Sequence, residues 1–370
     1  MAKTGPIRVL IVDDSALMRK LLKDMIGASE DVEIVGMAHD GTQALELVAK
    51  LHPDVVTLDV EMPGRSGLEI LPELLALWPV PVLMISSLTQ EGAETTLAAL
   101  AMGAVDYLPK PTSHQLSQMR AASDLIVSKV KAAAKCRVMR QRSASRPLAT
   151  ALVPATGVAV SSVTAVSPPR MKPTTGGLAR QALCVVVGIS TGGPQALDQV
   201  LPLLRPPLPP LVVVQHMPGT FTGVFAKRLA RICAVPVLEA EDGMRLVPDQ
   251  ILIAPGGKQL SLSGHPPLVK VVLKDDPPVS GHRPSVDVLF RSASQSFGAG
   301  VVGLIMTGMG RDGVDGCKAI LAAGGTTYGQ DEATSVVYGM NKAAFLESAI
   351  TRQFGLTEFP DLIRALTSGS

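Results

Sequence analysis

The sequence predicts two α/β domains, each a mostly parallel sheet covered by helices, joined by a flexible linker. Three observations carry this expectation. At 370 residues the chain exceeds one typical domain. Short apolar runs alternate with helical patterns in the first third and again in the last half, and continuous apolar strands belong to sheets buried on both faces. Between these blocks, from Leu125 to Arg180, there are ten Lys or Arg and no Asp or Glu, leaving 24 basic against 32 acidic residues elsewhere, a net of −8.

In the first block, residues 6–125, strand-like runs fall at Ile7–Val12, Val32–Ala38, Val55–Leu58, Val82–Ile85 and Val105–Leu108. Helical patterns separate them at Ser15–Ile26, Thr42–Leu51, Leu68–Leu77 and Gly92–Ala101, and another follows Pro111 through Leu116, Met119, Ile126 and Val130. Residues 126–180 read as a basic, Ala/Ser/Pro-rich linker, although the last helix can extend into it past Val130. Its basic residues are spread rather than clustered, which fits a solvated tether better than a nucleic-acid-binding tail. In the second block, residues 181–370, the runs are Leu183–Ile189, Leu211–Gln215, Ile251–Ala254, Val269–Leu273 and Val301–Met306. Helical stretches at Gln195–Leu204, Thr222–Ile232, Val286–Phe297 and Val314–Ala322 give a doubly wound pattern.

Composition narrows the function classes. Hydrophobic residues at 46% and charged residues at 18% argue for real cores, and aromatics at 3% are poor material for stacking bases. Cys136, Cys184, Cys233 and Cys317 lie far apart, which suits buried thiols in a reducing cytosol better than a disulfide frame or zinc site. Met1 to Arg8 carries no apolar signal core, and Ala151–Val166 is too short and too broken by Pro154 and Gly157 to span a bilayer. The expectation is a cytoplasmic protein with no membrane insertion and no nucleic-acid partner.

Asp13 and Asp14 follow the first strand, Asp59 the third and Lys110 the fifth. In a parallel α/β sheet those strand ends share the ligand-binding face. Each Asp alone reads equally as a solvated strand end or a cap. Together the carboxylates repel one another unless a hard cation such as Mg²⁺ joins them, and an ionised Asp beside that ion can attack a phosphoryl group. The segments Val9-Leu-Ile-Val-Asp-Asp-Ser15, Leu58-Asp-Val-Glu-Met-Pro-Gly64 and Tyr107-Leu-Pro-Lys-Pro111 resemble a response-regulator receiver domain. The resemblance implies Asp59 as phospho-acceptor, with Mg²⁺ held by Asp14, Asp59 and the carbonyl of Glu61 and by Asp13 through water. It also implies that Ser86 and Lys110 bind the phosphoryl group and that Tyr107 moves inward with Ser86. The family more often has an Asp before Gly67, where this chain has Ser66.

The second site starts at Gly188-Ile-Ser-Thr-Gly-Gly193, a Gly-x-Ser-x-Gly spacing between a strand and a helix opened by Pro194. Alone it reads equally as a glycine-rich turn. A dinucleotide loop fits poorly, because the spacing is not Gly-x-Gly-x-x-Gly and the next strand ends in Gln215-His216 rather than an acid. His216 at that strand end is a candidate base for Ser190, and an ordinary strand-end histidine is the alternative; His265 and His282 lie in proline-rich loops and are weaker candidates. Asp312, in Thr307-Gly-Met-Gly-Arg-Asp-Gly313, is the candidate orienting acid, with Asp287 as competitor in a first helical turn.

Residues 181–350 resemble the catalytic domain of the chemotaxis-type protein-glutamate methylesterases, the CheB family. Gly188-Ile-Ser-Thr-Gly-Gly193, Gln215-His-Met-Pro218, His282-Arg-Pro-Ser-Val-Asp287, Thr307-Gly-Met-Gly-Arg-Asp-Gly313 and Val337-Tyr-Gly-Met340 carry the match. Gly256-Gly-Lys-Gln259 departs from it by lacking a histidine, and Asn341 stands where proline is usual. The resemblance implies Ser190 as nucleophile, His216 as general base and Asp312 as its orienter, with Thr191 and the backbone of Met309 shaping the oxyanion and substrate site. It implies hydrolysis of γ-methyl glutamate esters on methyl-accepting chemoreceptors, releasing methanol, with glutamine deamidation as a second activity and a chemotaxis histidine kinase as phosphodonor. Such a serine site needs no metal or organic cofactor. A non-enzymatic receptor-docking regulator is the rival reading, and a second long α/β pattern argues against a DNA-binding output domain.

Overall fold

The computed structural model describes residues 5–87, 89–110, 116–136 and 183–368. The expected linker beyond 136 lies outside the described residues. The first domain contains β1 (Ile7–Val12), α1 (Ala16–Ile26), β2 (Val32–Ala38), α2 (Gly41–Leu51), β3 (Val55–Asp59), α3 (Gly67–Leu77), β4 (Val82–Ser86), α4 (Gln90–Ala101), β5 (Asp106–Pro109) and α5 (Leu116–Ala133). Its sheet runs β2-β1-β3-β4-β5, parallel throughout.

Side-chain oxygens on Ser15, Asp40, Ser66 and Thr89 cap the starts of α1, α2, α3 and α4. Ser66 forms a full capping box with Glu69, which an Asp at that position would also start, so the departure from the family pattern leaves α3 intact. Gly67 is required there, because a Cβ would run into the carbonyl of Asp59. Helix α5 continues past residue 125, and its Ile126, Val130 and Ala133 pack with Val9, Ile11 and Leu22 in the core under the sheet.

The second domain contains β6 (Cys184–Ile189), α6 (Gly193–Val200), β7 (Leu211–Gln215), α7 (Gly219–Ile232), β8 (Val237–Glu239), β9 (Ile251–Ile253), β10 (Gln259–Ser263) and β11 (Lys270–Lys274). It continues with α8 (Val286–Phe297), β12 (Val301–Ile305), α9 (Val314–Ala322), β13 (Thr326–Gln330), α10 (Met340–Leu346), β14 (Arg352–Phe354) and α11 (Phe359–Ser368). Seven parallel strands run in the order β14-β13-β12-β6-β7-β9-β8, and β10 and β11 form a separate antiparallel hairpin. The apolar run Val269–Leu273 therefore belongs to the hairpin rather than to the main sheet. Strands β8, β13 and β14 have no apolar run of their own, since two are three-residue edge pieces and β13 reads Thr-Thr-Tyr-Gly-Gln.

The chain leaves β6 toward β7 on one side and returns to β12 on the other, so the strand order reverses at β6. The crevice at the C-terminal end of such a strand is where doubly wound sheets place ligands. The two domains meet there. Tyr107 of β5 stacks on Phe221 of α7 at 4.7 Å and 8°. Gln195 Nε2 donates to the carbonyls of Leu100 and Ala104, and Arg228 donates to that of Leu97 at 3.3 Å. Cys184 and Cys317 are buried as expected, whereas Cys136 and Cys233 are half-buried.

Candidate active site

Ser190 sits where β6 turns into α6. The turn is pinned at four places: Ser190 N donates to Thr307 O at 2.9 Å, Gly193 N to Ser190 O at 2.8 Å, Gln215 Nε2 to Ser190 O at 3.0 Å, and Thr307 Oγ1 to Thr191 O at 2.9 Å. Gly192, at φ +78°, takes a left-handed conformation that glycine adopts without strain. Gly193 has no room for a side chain, because a Cβ would collide with Gln215 Oε1. On the far side, a Cβ on Gly308 would come within 2.7 Å of Ser190 Cβ, so the Thr307–Gly313 loop approaches the serine through a glycine.

His216, at the end of β7, places Nε2 2.8 Å from Asp312 Oδ2. Asp312 is 1% exposed and also accepts from Ser285 Oγ at 2.7 Å, Val286 N at 2.8 Å and Asp287 N at 3.1 Å. Burial pushes its carboxyl up, but these bonds and the charge of His216 prevail and hold it below the usual carboxylate value. An ionised carboxylate only accepts, so Nε2 carries a proton, and in the neutral ring Nδ1 is the nitrogen with the lone pair. His216 Nδ1 is buried and makes no hydrogen bond among the described residues, which leaves it able to take a proton.

The expected competitor Asp287 instead ties α8 to α9, with Oδ1 accepting from Gly316 N at 2.7 Å. His282, a weaker candidate from its place in a proline-rich loop, stacks its ring on His216 at 3.7 Å and 11°. Burial, and then the charge of His216, push its pKa down to about 4. No spacing signal pointed to His282, because the loop from β11 to α8 delivers it from 66 residues away. Ligand atoms of His216, His282 and Asp312 lie within 4.8 Å of one another. The two rings are nearly parallel, so their in-plane lone pairs run side by side rather than converge on one point.

At the strand ends of the first domain, ligand atoms of Asp13, Asp14 and Asp59 also lie within 4.8 Å of one another. Lys110 Nζ is 2.8 Å from Asp59 Oδ2, and Glu61 N donates to Asp59 Oδ1 at 3.1 Å. Asp13 Oδ1 accepts from Ser15 N, while the buried Oδ2 makes no hydrogen bond among the described residues. Burial, and next the charge of Asp59, raise the Asp13 carboxyl to about 6, and burial also raises Asp59. An all-oxygen cluster with an orphaned buried oxygen and destabilised carboxylates fits a hard divalent cation. Glu61 lines the same cleft as Asp14 and Lys110. Ser86 Oγ, at the end of β4, lies 3.1 Å from the carbonyl oxygen of Ser87 and 3.2 Å from that of Gly92, either of which can accept its proton.

A family model described as "Response regulator receiver domain" matches residues 9–122, and one described as "CheB methylesterase" matches residues 185–363. A protein-glutamate methylesterase/protein-glutamine glutaminase of Koribacter versatilis is 42% identical, over 98% of this chain and 96% of that protein. The chain belongs to the CheB methylesterase family. A Salmonella typhimurium protein of the same description is 41% identical, over 95% of this chain and 94% of its own. The crystal structure of the Thermotoga maritima CheB methylesterase catalytic domain is 35% identical, with a TM-score of 0.49 over 50% of this chain and 98% of that one.

In this CheB family member the receiver reaches the serine turn directly. Thr191 Oγ1 is buried and donates to Asp106 Oδ2 of β5 at 2.6 Å. Lys129 of α5 pairs with the same oxygen at 2.9 Å, donates to Tyr107 O at 2.9 Å and lies 5.1 Å from the Tyr107 ring centroid. Met309, half-buried, stays in the loop that faces Ser190. Thus the receiver engages Thr191 directly.

Proposed function

We propose that this chain hydrolyses γ-methyl glutamate esters on methyl-accepting chemoreceptors, releasing methanol, and deamidates receptor glutamines at the same serine. The observation that carries the reading is His216, with its Nε2 proton committed to Asp312 and its buried Nδ1 without a hydrogen bond among the described residues. Ser190 Oγ gives its proton to His216 Nδ1 as it bonds to the ester carbonyl carbon. The carbonyl oxygen becomes an oxyanion beside Thr191, Met309 and the N-terminus of α6, which favours negative charge. Asp312 stabilises the imidazolium without taking its proton. On collapse, the C–O bond to the methoxy group breaks and His216 returns the proton, so methanol leaves. Water, deprotonated by His216, then cleaves the acyl-serine and leaves glutamate.

Asp59 is proposed as the phospho-acceptor, with a chemotaxis histidine kinase as phosphodonor and the cytoplasm as the site of action. Asp13, Asp14, Asp59 and the Glu61 carbonyl would hold Mg²⁺, whose chemistry when bound is to neutralise charge on the transferring phosphoryl group. Lys110 and Ser86 would bind the phosphoryl oxygens. Strand β5 connects that chemistry to the esterase: Lys110 lies just beyond its end, and Asp106 and Tyr107 lie at its start, against Thr191 and Phe221. Phosphorylation would recruit Ser86 and Lys110, shift β5 and release those contacts.

The test is methanol release from methylated receptor membranes. Ser190→Ala abolishes it on this reading. Release that persists in Ser190→Ala removes Ser190 as nucleophile, and no release from the phosphorylated wild type favours a docking regulator.

A further inference from the structure

We infer that Gln259 is a positioning residue for the general base, holding both neighbours of His216 through one side-chain amide. Gln259 opens β10, is 2% exposed, and among the described residues its side chain bonds to Pro277, His282 and Ser285. Its Nε2 donates to His282 O at 3.0 Å and to Pro277 O at 3.1 Å, and its Oε1 accepts from Ser285 N at 2.9 Å. The amide orientation follows from the partners, since two are carbonyls and the third is an N–H.

These contacts lead to His216 from two sides. Ser285, fixed through its backbone N–H, donates its Oγ to Asp312 Oδ1 at 2.7 Å, and Asp312 Oδ2 holds His216. His282, fixed through its carbonyl, lays its ring on the face of His216 at 3.7 Å, whereas Asp312 bonds at the ring edge. A neutral ring stacked there offers its π face to the imidazolium that forms when Ser190 gives up its proton. The groups that act on His282 are His216, Asp312, Lys129 and the backbone at Ser280, and burial keeps it neutral. Glutamine supplies two N–H donors and an acceptor at once, which this pocket uses in full. A neutral histidine offers one of each and a protonated one no acceptor. The loop Gly256-Gly-Lys-Gln259 departs from the family pattern by lacking a histidine, and the triad alone gives no reason for Gln259.

The inference rests on the proposed roles of His216 and Asp312. It is tested on the full chain, activated by a small phosphodonor, with kcat and KM from methanol release and with imidazole nitrogen NMR of His216 and His282. Gln259→Leu is expected to lower kcat by about 10- to 100-fold, the scale of losing an outer positioning partner, while KM stays within about 3-fold. The His282 titration moves up from about 4 toward its ordinary value as the loop loosens. Gln259→His, which keeps one donor and one acceptor, lies between. A folded Gln259→Leu with wild-type kcat and wild-type imidazole spectra overturns the inference. If Gln259→Leu does not fold, an unshifted His282 titration in Gln259→His overturns it. Shifted spectra in a protein whose wild type releases no methanol leave the positioning intact and sink the esterase reading instead.

Discussion

Asp106 and Thr191 share a 2.6 Å buried hydrogen bond, joining a receiver strand to the residue that follows Ser190. Thr191 cannot turn its hydroxyl to a substrate while Asp106 holds it. The Tyr107–Phe221 stack and the Gln195 bonds to the end of α4 surround this contact. On the function proposed above, these contacts make the receiver the inhibitor of the unphosphorylated enzyme.

Asp106→Ala removes the hydrogen bond to Thr191 and leaves Lys129 near the surface. Bonds of a hydroxyl to a buried carboxylate are worth about 1.5–3 kcal/mol, so the rate without phosphodonor rises by about 10-fold or more. The fragment 181–370 rises further, because it also lacks the Tyr107 stack. Initial rates of methanol release measure both, and unchanged rates contradict the closed-enzyme reading.

The fold was legible because both sheets are buried on both faces, so strands such as Val9–Val12 and Val185–Ile189 are unbroken apolar runs. Ser190, His216 and Asp312 were legible because each follows such a run. His282 was visible only as a weaker candidate and, with Ser285, as part of a matching segment, and Gln259 only as a departure in its loop. The contacts that join the three to His216 and Asp312 are made by a hairpin and a loop in three dimensions. Asp106 was hidden for another reason. Its partner lies 85 residues away in the other domain, and nothing local marks an Asp that faces a neighbouring domain.

Gly193→Ala forces a methyl group onto Gln215 Oε1, and Gln215 Nε2 holds the carbonyl of Ser190. The turn must shift, and misplacing a nucleophile by an ångström costs about 100-fold. The expected outcome is loss of kcat with the thermal midpoint lowered only a few degrees. Full activity in Gly193→Ala shows that the turn tolerates rearrangement.

Asp13 binds its proton more tightly folded than unfolded, with a pKa of about 6 against 3.8. Its contribution to stability is present below about 4 and is lost as pH rises through about 6. Mg²⁺ binds the ionised form, so stabilisation by Mg²⁺ grows across that window. Thermal midpoints with Mg²⁺ or with a chelator, recorded on both sides of the window, measure the effect. Asp13→Asn flattens the pH dependence; an equal Mg²⁺ effect at both ends counts against the cluster as the ion's site.

His282 behaves oppositely, because its folded pKa of about 4 lies below the ordinary 6.5. Its contribution is present above about 6.5 and is lost as pH falls toward about 4. In urea titrations, His282→Asn reduces the acid-side slope of stability while leaving the neutral-to-alkaline limb unchanged. A slope equal to wild type places His282 outside the buried stack.

The central claim is that chemistry at Asp59 controls chemistry at Ser190. The most direct measurement is methanol release by the full chain from methylated receptor, with and without a small phosphodonor, in wild type and Asp59→Asn. The account predicts that the phosphodonor raises the wild-type rate and leaves Asp59→Asn at its low basal rate. Equal rates under all four conditions, or a phosphodonor response that survives in Asp59→Asn, would contradict it.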